Sequence, residues 1–268
     1  MSEQEVSSSI APQETEATKQ QEEFVKKSAG YFLRENHHKK VIQIYYKIIK
    51  ILDRVSFERR RNILRMIDDI GIKFFTAPAS SRLDFHSCFP GGLARHSLYT
   101  IKNMLKLIDA FKIIDYSKES VILVSLFHDI GKIGDIEEDY YIPQDDSYWK
   151  RRGYLYKINE RLSKTPVNII SLYLLQHYNI PISMGEYQAI YSLTERKDTF
   201  REEYNLTALL QWADKWSIME EKREIVDAVE PEKHNAVNNR EDIENIDLSL
   251  EEGKINPEEL FLEQQETI

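Results

Sequence analysis

Ionisable residues embedded in apolar runs are where this chain has material for chemistry. The stretch Val121 to Gly134, VILVSLFHDIGKIG, sets His128 and Asp129 at the end of a run made by Val121, Ile122, Leu123, Val124, Leu126 and Phe127. That run predicts a buried helix stopping just past the pair, with Gly131 as its C-terminal signal. Neighbouring helical residues point about 100° apart, so both side chains can reach one ion beside the helix. An imidazole and a carboxylate in apolar surroundings are costly unless something satisfies them, and a divalent metal satisfies both. For an isolated pair, a histidine bonded to a carbonyl beside a capping aspartate is the simpler account. Further ligands must therefore come from elsewhere in the chain.

Two other helices offer them. GGLARHSLYTIKNMLKLIDAF predicts a helix beginning near Leu93, with His96 in its first turns and Leu93, Leu98, Ile101, Met104, Leu105 and Ile108 as its apolar stripe. LTALLQWADKWSIMEEK predicts a helix over about Leu206–Lys222, with Leu206, Leu209, Leu210, Trp212, Ala213 and Trp216 buried and Asp214 among them. An aspartate in that setting is salt-bridged, hydrogen-bonded or bound to metal. His96, His128, Asp129 and Asp214 together make a mixed nitrogen and oxygen site suited to one divalent ion, whether Mn, Fe, Co, Ni, Zn or Mg, with positions left for water. An ion held this way lowers the pKa of its water from about 15.7 towards roughly 7. Residue types alone leave chance open, because aspartate is common.

Around these helices lie less regular stretches. Residues 74–92, FFTAPASSRLDFHSCFPGG, break the helical pattern and form a loop that contains His86. Its paired glycines allow the backbone close to a bound group. Residues 135–162 are polar and dense in tyrosine, with Trp149, Arg151 and Arg152. Aromatic faces and guanidiniums suit a nucleobase and its phosphates, and an irregular cap packed by its own rings is an equal account. Helices are also expected over Glu22–Leu52, over Ser56–Ile70 with Gly71 as stop, over Val167–Tyr178 and over Glu186–Leu193. The first two carry Lys39, Lys40, Lys47, Lys50, Arg54, Arg59, Arg60, Arg61 and Arg65, which read as a solvated face in preference to a phosphate-tracking surface.

With 268 residues, one cysteine (Cys88) and a net charge of −9, the chain has enough length for a sizeable core and cannot close a disulfide within itself or build a zinc–thiolate cluster. No apolar run approaches a membrane span, and the first residues lack a signal-peptide core. A cytoplasmic setting, with no membrane, is expected. The charge is uneven. Residues 1–20 carry −3 and residues 227–268 carry −10, which leaves +4 for the body. A mildly basic body suits a small anionic substrate better than bulk nucleic acid. The expected organisation is a disordered segment 1–20, one all-α domain over 21–226 and a loosely ordered acidic tail over 227–268. Apolar islands in the tail are available to a protein partner. No strand pattern is strong enough to predict a sheet.

GGLARHS, LFHDIGK and LLQWADKWS, in that order, resemble the HD-domain metal-dependent phosphohydrolase superfamily, whose pattern is H…HD…D. The likeness extends over roughly 74–222. SRLDFHSCFPGGLARHS, YWKRRG and EYQAI look closest to an HD branch frequent in phage and bacterial genomes, which would put the protein in a host cytoplasm if phage-encoded. The loop form is also similar to that of HD-type 3′–5′ exoribonucleases. The resemblance implies an HD-domain helical bundle, with His96, His128, Asp129 and Asp214 as metal ligands. Asp129 would also lie near the attacking water, and Lys132, one turn on, matches a position that contacts substrate phosphate. Dinuclear relatives have further histidines between the HD pair and the last aspartate, where this chain has only His177. Leu193 stands where another is expected, so one metal is the expectation. His86 is the stronger candidate for general acid or phosphate contact, and His177 reads as a packed helix residue. His37, His38 and His234 read as surface residues. Arg95, Lys132, Arg151 and Arg152 are the bases expected near phosphate, with Trp149 beside them. The implied activity is hydrolysis of a nucleotide or deoxynucleotide phosphate ester or anhydride. A 3′-end-trimming nuclease and a nucleotide-sequestering protein on the same scaffold are the alternatives, and a homo-oligomer is compatible with each.

Overall fold

The computed structural model describes residues 37–113, 116–193 and 205–229. The disordered segment expected over 1–20, the start of the first expected helix, His234 and, from residue 230 on, the acidic tail expected over 227–268 lie outside the described residues, as do the His37 and His38 side chains. The described part is all-α apart from one short hairpin. In chain order it comprises α1 (His37–Ile51), α2 (Phe57–Thr76), α3 (Gly92–Phe111), α4 (Lys118–Phe127), a 3-10 turn (Ile130–Ile133), β1 (Tyr141–Pro143), α5 (Ser147–Arg151), β2 (Tyr156–Ile158), α6 (Val167–His177), α7 (Met184–Tyr191) and α8 (Asn205–Val229).

The core gathers around α3, which packs most extensively on α8 and α4 and also meets α1 and α2. Every residue of α4 from Val121 to Phe127 is buried, as expected for a helix that is apolar on all sides. Its N-terminus is capped by the Ser117 hydroxyl, which accepts from Ser120 N at 3.1 Å. Among the described residues, no helix is long and apolar enough to cross a membrane.

Several boundaries differ from the sequence expectation, each for a packing reason. Gly71 does not stop α2, which continues to Thr76 because Phe74 and Phe75 extend its buried stripe. Gly131 is not a C-terminal signal either. The helix ends at Phe127, His128 is its C-cap, and Gly131 lies in the following 3-10 turn. A β-carbon there would stand 2.2 Å from the Val167 carbonyl oxygen, so glycine is what lets α6 rest on the turn. The left-handed residue is Gly134, at φ +95°. On α8, Trp212 and Trp216 are 45% and 56% exposed, so they do not belong to the buried stripe. The buried face is carried by Leu206, Leu209, Leu210, Ala213, Ser217, Glu221 and Ile225. The helix runs past the expected Lys222 to Val229, with Asp227 buried.

The tyrosine-dense segment contains the strand pair that the pattern was too short to signal. β1 and β2 run antiparallel with Tyr141 opposite Ile158 and Pro143 opposite Tyr156. The segment folds back on the His86 loop, where Leu83 N donates to Gly153 O at 2.9 Å and Leu155 N to Ser81 O at 3.0 Å.

Candidate metal centre

Three elements bring the four expected ligands to one place. His96 comes from the second turn of α3, His128 and Asp129 from the end of α4, and Asp214 from the third turn of α8. One ligand atom from each lies within 4.8 Å of the others, and the four could hold a metal ion. His96 Nε2 is 3.0 Å from Asp214 Oδ1 and 3.9 Å from Asp129 Oδ2. His128 Nε2 is 3.6 Å from Asp129 Oδ2 and 3.8 Å from Asp214 Oδ1.

The orientation of the His128 ring follows from its surroundings. Its Nδ1 lies 3.0 Å from the Ser125 carbonyl, which only accepts, so Nδ1 carries the proton. Nε2, on the other side of the ring, is turned towards the Asp129 and Asp214 carboxylates. It is buried and without a hydrogen-bond partner among the described residues. An unpartnered buried nitrogen facing two carboxylates is what a divalent ion would complete. The donor set of two imidazoles and two carboxylates fits Mn, Fe, Co, Ni or Zn.

Charge is concentrated here. Burial alone would lower the His96 pKa, but the Glu221 carboxylate and then Asp214 push it up to about 10. Burial disfavours charge on Asp214, and the neighbouring His128 and His96 imidazoles still hold its carboxyl far below the usual range. Asp129 is half-buried, which disfavours its charge, yet Lys132, followed by His128, keeps its pKa low. Lys132 Nζ stands 2.5 Å from Asp129 Oδ2, and the pairing raises the lysine above its ordinary value despite burial. A divalent ion would replace the His96 proton.

His86 joins this group. It is 3% exposed, its ring centroid lies 4.8 Å from that of His96, and neither ring nitrogen has a hydrogen-bond partner. Burial, then the positive charges of His96 and Lys132, drive its pKa well below the ordinary value, so the ring is neutral. The other expected substrate residues are placed elsewhere. Arg95 sits behind His96, donating to Ser87 Oγ at 3.1 Å and Tyr99 OH at 3.2 Å and pairing with Glu224. Trp149, Arg151 and Arg152 lie on or just after exposed α5. Arg152 stacks over Tyr148 at 4.5 Å, and Trp149 meets Tyr148 and Tyr154 edge-on. No described contact joins these three to the ligands. His177 is exposed against Tyr178, not packed in the core. Of the basic cluster, Arg59 is committed to Glu186 and Arg60 to Asp53.

Two residues at the site were not expected. Glu221 contacts His96 Nδ1 at 3.0 Å. Its signal was spacing, since Asp214, Ser217, Glu221 and Glu224 repeat at three and four residues along one helical face. Tyr141, close enough to be felt by Lys132, has its phenol pushed up to about 12 by burial. Compared with family models, with curated proteins and with solved structures, the chain matches none.

Proposed function

We propose that this protein is a metal-dependent phosphohydrolase of the HD type, acting on a nucleotide or deoxynucleotide with one divalent ion. The observation that carries the reading is the convergence of His96, His128, Asp129 and Asp214 around the unpartnered Nε2 of His128. The ion would be held by these four residues and, when bound, supplies activation of water and neutralisation of charge at phosphorus.

The chain's own residues account for an anionic substrate. Two carboxylates balance a divalent ion, so the positive charge of Lys132 is left over beside it and attracts a phosphate. Lys132 is tied to Asp129 in the free protein, and an arriving phosphate offers the lysine a second anionic partner. His86, neutral and with both ring nitrogens unpartnered, offers a hydrogen bond to a phosphate oxygen without adding charge. The hairpin carrying Tyr141 and the loop carrying His86 are the segments that would exclude bulk water.

The test is a phosphate- and nucleoside-release screen with Mn, Co, Ni, Mg or Zn against deoxynucleoside mono- and triphosphates, cyclic nucleotides and a short RNA. Turnover of a mononucleotide class, lost in Asp129→Ala, is expected. Release from RNA alone would replace this reading with the nuclease, and metal binding without any turnover would replace it with nucleotide sequestration.

A further inference from the structure

Glu221 is a buried carboxylate that the proposed reaction does not use. It lies on α8 two turns beyond Asp214 and is fully excluded from solvent. Its two oxygens have separate partners. Oε2 is 3.0 Å from His96 Nδ1, and Oε1 accepts from Ser87 Oγ at 2.8 Å and lies 3.8 Å from Arg95 Nη1. A carboxylate buried this deeply is retained at a cost unless its partners compensate.

We infer that Glu221 is a positioning residue for the metal, accepting the Nδ1 proton of His96 so that Nε2 faces the ion, and gripping through Ser87 the loop that carries His86. The inference rests on the metal-dependent reading above and adds a residue outside the four ligands.

Two observations support it. The first is the symmetry of the two histidines. Each turns Nε2 towards Asp129 and Asp214 and has an acceptor on Nδ1, the Ser125 carbonyl for His128 and the Glu221 carboxylate for His96. A ring that ligates through one nitrogen keeps its proton on the other, and a partner there fixes its tautomer and orientation. The second is the backbone at Ser87, which lies at φ +42°, in the left-handed region that a serine adopts only when held. It is held by its hydroxyl on Glu221 and by its carbonyl, which accepts from Ala79 N and Phe89 N, each at 3.0 Å. Gly92 is part of the same arrangement, since a β-carbon there would stand 1.9 Å from the Ser87 oxygen. One carboxylate thus links a ligand on α3 to the loop that sets His86 beside it.

The experiment is a Co2+ titration of the full chain followed by its visible absorption, for wild type, Glu221→Gln, Glu221→Ala and Glu224→Gln. About tenfold weaker binding is expected for Glu221→Gln and up to roughly 100-fold for Glu221→Ala. Glu224→Gln, which alters the partner of Arg95 and Tyr99 but not that of His96, should bind as wild type. Proton spectra of the Co2+-loaded protein add a readout that a purely structural role would not move. Two hyperfine-shifted ring N–H resonances are expected, from His96 and His128, and Glu221→Gln should shift only one. Equal affinity in wild type and both Glu221 variants overturns the inference and leaves the metal site standing. A wild type that binds no Co2+ overturns both. If the Glu221 variants do not fold, the wild-type spectrum decides, and a single ring N–H resonance in place of two overturns the inference.

Discussion

At the scale of single residues, His128 meets two demands with one ring. Its Nδ1 is bonded to a carbonyl, the simple account of a buried histidine, and its Nε2 remains unpartnered against two carboxylates. The two readings open from sequence are thus compatible, one for each nitrogen. An ion that binds only the folded chain stabilises it by about 2.7 kcal/mol at a hundredfold excess over its dissociation constant. For a domain of this size that corresponds to a rise of about 5–10 °C in melting temperature. Mn2+ added to metal-stripped protein should produce such a rise in wild type and none in Asp214→Ala, read by thermal denaturation. An equal rise in the variant would remove Asp214 from the ligand set. His96, His128, Asp129 and Asp214 were legible from their setting in apolar runs together with the order of the motifs that carry them. Glu221 was not, because its neighbours Glu220 and Lys222 make it look like part of a charged surface turn. Only the facing α3 makes it buried.

At the scale of elements, α7 is fastened by one carboxylate. Glu186 closes a capping box with Ser183 and takes both guanidinium nitrogens of Arg59 on α2, at 2.8 and 3.1 Å. Burial opposes its charge, but the Ser183 N–H, the Ser120 hydroxyl and Arg59 hold its pKa below the ordinary 4.5. A group depressed in the folded state stabilises fully above its unfolded pKa, and the stability is lost as pH falls towards the folded value. Glu186→Gln should therefore cost about 1–3 kcal/mol at pH 7, and the gap to wild type should narrow below about pH 4.5. Urea denaturation of both proteins at pH 7 and pH 4 measures it, and a gap independent of pH would contradict the assignment. Helices α3, α4, α6 and α8 were legible from their apolar periodicity. The hairpin was not, since strands of three residues show too little alternation to separate from a loop.

At the scale of the whole molecule, the His86 loop and the hairpin segment meet around a sulfur. Cys88 is 0% exposed and burial pushes its thiol up to about 12, so neither access nor ionisation favours reaction. A thiol reagent should leave the folded protein unlabelled for as long as it stays folded, and labelling should accelerate with urea in step with unfolding. Rapid labelling without urea would show that the loop opens independently of the core. The outer face of α8 offers a contrast. Trp212, Trp216 and Met219 are exposed while Asp214 on the same helix turns to His96 and His128, so one helix divides its aromatic and acidic residues between opposite sides.

By itself the sequence determined the helical class, because apolar spacing dictates which side of each helix is buried, and the order of its motifs GGLARHS, LFHDIGK and LLQWADKWS singled out four residues as candidates to share an ion. It also determined that no disulfide forms within the chain, since there is one cysteine. Tertiary structure alone decided which arginines pair with carboxylates or aromatic rings away from the centre, which glycine is left-handed and which is merely crowded, and that Glu221 stands behind His96. The physical reason is that periodicity reports a residue's own helix face, whereas charge pairing, close backbone approach and ring orientation depend on what the facing element brings within 3–4 Å.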